Sequence, residues 1–114
     1  MRILIGALAV ALLAGCVSPG DLESNDPSIS ASTEKDPKRY ALCVLQRWQD
    51  ARSDVTMSET EYGYRLIAAT NNMTDELLSI RKMSKGSSVK LYQRMAWAPG
   101  YGRSDMERAV RSCL

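Results

Sequence analysis

The chain has 114 residues, fifteen Lys or Arg against thirteen Asp or Glu, and a formal net charge of +2. That length is enough for one small domain. It contains no histidine, which removes the commonest general base, the Ser-His and Cys-His nucleophile pairs and most zinc sites.

Met1-Arg2 opens the chain with positive charge, and Ile3 to Leu13 follow as an unbroken apolar or small-residue run. The run is about half of the ~20 residues that span a bilayer. A positive start, a short apolar core and a small-residue exit mark a secretory signal. The run ends in Leu13-Ala14-Gly15-Cys16. This tetrad resembles the lipobox of bacterial lipoproteins. The resemblance implies cleavage between Gly15 and Cys16, two acyl chains on the Cys16 sulfur and a third on its new amine. Two or more chains give stable anchoring, at about 0.8 kcal/mol per buried methylene. The membrane is thus an expected partner through Cys16. Val17 follows, not Asp, and in enterobacterial lipoproteins that resemblance points to the outer membrane.

Residues 1–15 are therefore read as signal peptide, 16–35 as lipidated cysteine and linker, and 36–114 as the folded domain. Residues 17–37 hold five acids and one base, a net of −4. Residues 38–114 hold thirteen bases and eight acids, a net of +5. The acidic segment carries Ser-Pro-Gly, two Asp-Pro pairs and Ser-Ile-Ser-Ala-Ser-Thr. Such a composition predicts a flexible spacer. As a coil of 21 residues it would reach roughly 25 Å. A basic domain raises nucleic acid as a partner, but export removes it. Anionic lipid, lipopolysaccharide phosphate or an envelope protein is expected instead.

With Cys16 assigned to lipid, Cys43 and Cys113 remain as an even pair. In an oxidising compartment they read as a disulfide. A redox pair would need closer spacing and an activated thiol.

Asp36-Pro37 opens the first helix of the domain as cap and first-turn proline. Tyr40, Val44, Trp48 and Ala51 then recur at helical spacing, with Cys43 at the stripe's border. Four alternating segments follow: Val55/Met57, Tyr64/Leu66/Ala68, Leu78/Ile80 and Val89/Leu91. Their connections carry turn residues, Glu61-Tyr62-Gly63, Asn71-Asn72 and Ser84 to Ser87, and predict an antiparallel meander. With Lys85-Gly86 as a two-residue turn, Ile80 faces Leu91 and Lys82 faces Val89. Ser104 to Glu107 matches a capping box, and Met106, Ala109, Val110 and Cys113 share a helical face.

The expected fold is α+β, in the order α-β-β-β-β-α. A four-stranded antiparallel meander carries the N- and C-terminal helices on one face, stapled by Cys43–Cys113. The other face is expected open to solvent. In layout this resembles the small α+β domains at the C-termini of Tol- and Ton-type energy transducers, which carries no function with it.

No cofactor or metal motif stands out. Glu59 and Glu61 share a strand face, and Asp75-Glu76 is read as a solvated turn pair. Two surfaces are candidate binding sites: the open sheet face with Arg65, Arg81, Lys90, Tyr92 and Arg94, and the loop with Trp97, Tyr101 and Arg103. Trp, Tyr and Arg are enriched at binding hot spots. The chain as a whole resembles the small lipoproteins of proteobacteria. The expectation is a non-enzymatic, periplasm-facing interaction domain on the outer membrane. The alternative is an inhibitor or immunity protein acting against a lytic enzyme or toxin through that loop.

Overall fold

The computed structural model describes residues 18–70, 73–94 and 103–114. The lipobox, Trp97 and Tyr101 lie outside the described residues. The elements run α1 (Pro19–Glu23), β1 (Ile29–Thr33), α2 (Pro37–Ala51), β2 (Val55–Thr60), β3 (Gly63–Thr70), β4 (Met73–Lys82), β5 (Ser87–Gln93) and α3 (Arg103–Ser112). All strands pair antiparallel in one sheet of order β1-β5-β4-β3-β2. The fold is α+β and the meander β2 to β5 is present, but the sheet has five strands rather than four.

Helix α2 starts as its sequence demands. Asp36 caps it, its Oδ1 accepting from the Arg39 N–H at 2.9 Å, and Pro37 fills the first position, where no hydrogen bond is lost. Its apolar stripe is buried: Tyr40, Ala41, Val44 and Trp48 are fully covered. They pack with Met106, Ala109, Val110 and Cys113 of the C-terminal segment. Both helices lie on the sheet face formed by Val55, Leu66, Ala68, Leu78, Ile80, Val89 and Leu91. The polar tips of the large aromatics are satisfied across the helix pair. The Tyr40 hydroxyl donates to the Val110 carbonyl at 2.8 Å, and Trp48 Nε1 donates to Met106 at 3.1 Å. Burial therefore costs neither side chain a hydrogen bond.

The Cys43–Cys113 disulfide joins the two helical segments with a Cα–Cα separation of 6.0 Å. It closes 70 residues of chain.

The hairpin register differs from expectation by two residues. Ile80 faces Val89 and Lys82 faces Ser87. The loop is Met83 to Gly86, four residues rather than two, closed by Met83 N–H to the Gly86 carbonyl at 3.0 Å. A shift of two keeps every side chain on its expected face, because the strand period is two. Gly86 takes φ +75°, and a Cβ there would sit 1.9 Å from the Thr33 carbonyl oxygen. The loop thus packs directly on the end of β1.

The spacer expected over residues 17–37 is corrected. Ile29, Ala31 and Thr33 point to the helix-covered face, while Ser30 and Ser32 are exposed. This alternation adds β1 to the β5 edge. The strand also ties down the C-terminus: the Thr33 hydroxyl donates to the Leu114 carbonyl at 2.9 Å, and Lys35 Nζ donates to the Cys113 carbonyl at 2.5 Å. Before it, α1 is a short helix with Ser18 and Asp21 as a complete capping box and Pro19 at its first position.

The second sheet face is not wholly open. Leu77 alternates away from the core face yet is fully buried, as is Leu22 of α1 at 1% exposure. Neither belongs to the main core cluster. Glu23 of α1 meets Arg65 of the same face at 3.1 Å. Helix α1 therefore covers part of that face.

Candidate functional site

A cleft of about 720 Å³ opens at the β3–β4 end of the sheet. It is lined by Arg52 and Asp54 after α2, Thr70 of β3, Asp75 and Glu76 of β4, Arg94 after β5 and Arg103 of α3. The site is built by a register shift. Ala68 pairs with Glu76, but Ala69 pairs with Thr74, so Asp75 is the extra residue of a bulge. A bulge bends its strand and re-aims a side chain. Here it delivers Asp75 to two arginines. Asp75 pairs with Arg94 and, at 3.1 Å, with Arg52, and it accepts from the Thr70 hydroxyl at 2.6 Å. Arg52 also pairs with Asp54.

These contacts set the charge states. Burial works to raise the Asp75 carboxyl, but Thr70, Arg94 and Arg52 together hold it below the ordinary range. Asp54 is held low chiefly by Arg52. Glu76 goes the other way. It is 2% exposed, and burial pushes it up to about 7, against the opposing pull of Gln93 and Arg103. Arg103 Nε lies 3.2 Å from its Oε1, and Gln93 Nε2 donates to the same oxygen at 3.3 Å. Among the described residues its buried Oε2 has no hydrogen-bond partner.

The Glu76 carboxyl binds its proton more tightly in the folded state than in the unfolded chain. Its contribution to stability is therefore fully present below about pH 4.5 and lost as the pH rises through about 7. The loss is on the order of 3 kcal/mol, at about 1.4 kcal/mol per pKa unit. Glu76→Gln keeps the shape and removes the ionisation. The variant should show a flatter stability curve between about pH 5 and pH 8 than the natural chain, measured by urea unfolding at each pH. Parallel curves would contradict this.

The expected site residues separate into three groups. Arg94 does not join the open sheet face. It turns into the cleft, because Asp75 is there to receive it, and its backbone N–H donates to the Asp75 carbonyl at 2.9 Å. Arg103 does not extend a binding loop. It opens α3, one residue before the expected cap, and reaches Glu76 and the Arg94 carbonyl. Glu107 is not the closing half of a capping box but accepts from Gln93 at 3.1 Å. Asp75-Glu76 is not a solvated turn pair, since both lie in β4 and face cations.

Arg65, Arg81, Lys90 and Tyr92 do share the second sheet face. The pairings align Ser30, Lys90, Ser79, Arg65 and Ser58 in one cross-strand row. Ser32, Ser88 and Arg81 align in the next. Lys90 and Arg81 are exposed, and Arg81 lies 4.6 Å from the Tyr62 ring centroid. Tyr92 is half-buried on this face. Glu59 and Glu61 are exposed, Glu61 in the turn beyond β2.

The cleft was missed because Asn71-Asn72 drew Asp75 and Glu76 into a turn. The available signal was an acidic pair beside an apolar alternation at Leu77 to Ile80. Among the described residues no group of three or more His, Cys, Asp or Glu is placed to hold a metal ion. No described helix is long and apolar enough to cross a membrane. Comparison with protein families, with curated proteins and with solved structures finds no match to this chain.

Proposed function

We propose that this chain is a bacterial envelope lipoprotein, anchored through acylated Cys16 to the outer membrane and facing the periplasm. Its domain is a non-enzymatic interaction module. The observation that carries the reading is the Leu13-Ala14-Gly15-Cys16 pattern ahead of a domain closed by a disulfide. A disulfide in so small a domain suits an oxidising compartment. The anchor supplies the location and the fold supplies a rigid surface.

The cleft supports a structural rather than catalytic use of its carboxylates. Asp54, Asp75 and Glu76 are each engaged by arginine. Catalysis needs an acid or base within reach of substrate, and Glu76 is covered. Its partner surface is instead the solvated exterior, whose exposed large apolar side chains include Tyr62, Met83 and Leu42. Tyr62 and Met83 border a hollow of about 600 Å³ with Glu59, Tyr64 and Lys82. A protein of the envelope is the expected partner.

Cys16→Ser tests the anchor. The variant should leave the membrane fraction and appear as soluble protein, because the acyl chains have no attachment. Retention in membranes of a Cys16→Ser variant that runs at the mature size, with no unprocessed form present, would contradict the anchor.

A further inference from the structure

We propose that the sheet face carrying α1 lies against the phospholipid headgroup layer of the membrane that holds the Cys16 lipid. The proposal rests on the lipid-anchor reading above and adds an orientation to it. The length of the tether sets the orientation. A flexible spacer of 21 residues would let the domain reach roughly 25 Å and turn freely. The fold does not leave that spacer. Ser18 is already the N-cap of α1, so only Val17 separates Cys16 from the folded domain. Two Cα steps span at most about 8 Å. That is close to the thickness of one headgroup region, roughly 5 to 8 Å.

Helix α1 is itself fixed to the sheet. Leu22 is buried at 1% exposure on the side where Leu77 is fully covered, and Glu23 pairs with Arg65 at 3.1 Å. Strand β1 follows directly, its entry secured by the Ser28 N–H donating to the Leu91 carbonyl at 2.7 Å. The attachment point therefore emerges on the face opposite α2 and α3. A lipid in the bilayer pulls that face down and leaves the two helices pointing away.

The surface chemistry fits the same occupant. Lys90 and Arg81 are exposed on this face and suit lipid phosphates. Ser30, Ser32 and Ser58 are exposed beside them and carry hydroxyls that hydrogen-bond to phosphate or ester oxygens. Asp21 and Glu23 of α1 leave the face mixed in sign, with Asp21 in the α1 capping box and Glu23 on Arg65. A layer of phosphate and ammonium groups matches such a face. The consequence is that Lys90 and Arg81 meet lipid, while a protein partner meets the helices or the sheet ends.

The test uses the full-length lipidated chain in vesicles of phosphatidylethanolamine and phosphatidylglycerol, at low surface density and with no other protein. Ser30→Cys reports the sheet face and Gln46→Cys reports the exposed side of α2. Each is labelled with a bulky maleimide, in vesicles and in a soluble chain that carries Cys16→Ser and lacks residues 1–15. Position 30 should label several-fold more slowly in vesicles, with position 46 unchanged. A long Gly-Ser insertion after Val17 should restore the soluble rate at position 30. Equal rates at both positions on an acylated protein would overturn the orientation alone. Shielding that needs high surface density would assign the face to a second copy, and shielding that survives the insertion would overturn the short-tether argument. A mass showing no acylation would overturn the anchor reading itself.

Discussion

A chain that begins at residue 36 should not hold the native fold at room temperature. The expectation follows from what residues 18–35 supply. Leu22 and Ile29 are buried at 1% and 5% exposure. Each such side chain contributes about 1.5–3 kcal/mol by burial. Removing β1 strips the backbone partners of β5 from Ser87 to Leu91, and each net hydrogen bond contributes about 1 kcal/mol. It also removes Thr33 and Lys35 from the C-terminal carbonyls, and the Lys35 carbonyl from the Ser87 hydroxyl at 2.8 Å. Together these exceed roughly 5 kcal/mol, against a total of about 5–15 kcal/mol for a domain. Circular dichroism and urea titration of residues 18–114 and 36–114, both oxidised, would read the difference. A truncated chain that unfolds cooperatively at the same urea midpoint would contradict the place given to β1.

The second large effect is on the disulfide. Reduction, or the Cys43→Ala/Cys113→Ala pair, should lower stability by roughly 4 kcal/mol in the chain-entropy treatment of a long loop. The bond joins two segments that also share Tyr40–Val110, Trp48–Met106 and Arg47–Ser112 hydrogen bonds. Those contacts hold the helices side by side after reduction, so the folded state should persist but unfold at lower denaturant. The measurement is the urea midpoint with and without reductant. A Cys43→Ala/Cys113→Ala chain that matches the oxidised protein would show that the helix contacts suffice alone.

The two-helix core and the meander were legible in the sequence. Tyr40, Val44 and Trp48 at helical spacing, and Leu78/Ile80 against Val89/Leu91 at strand spacing, each mark one buried face, and burial is what those periods report. The register of the last hairpin was not, because turn length sets it and Lys85-Gly86 is only half of a four-residue loop. The error was harmless to the faces, being an even shift.

Strand β1 was hidden by composition. Ser-Ile-Ser-Ala-Ser-Thr alternates as an edge strand should, but its polar side is serine, and serine-rich stretches between prolines resemble linkers. Helix α1 has five residues, too short to form without the sheet beneath Leu22. Its signal was the Ser18-to-Asp21 cap around Pro19. The cleft was hidden for another reason. Its residues come from five separate parts of the chain, and the bulge at Asp75 re-aims the carboxylate that meets two of its arginines. Arg94 and Arg103 were singled out as candidate binding residues, and the fold pairs them with Asp75 and Glu76 of their own chain.

These corrections change the picture of how the domain is presented. A long leash would make the anchor irrelevant to which surface is free. With α1 capped at Ser18, the proposed anchor would set the proposed orientation and leave the helices and the Tyr62–Met83 end of the sheet for the proposed partner.

The most direct measurement is the intact mass of the native protein extracted from cell envelopes, with and without reductant. The account requires a chain beginning at Cys16, carrying a diacylated sulfur and an acylated amine, and gaining two hydrogens on reduction of Cys43–Cys113. A chain that retains Met1, or one that starts elsewhere without lipid, would contradict it.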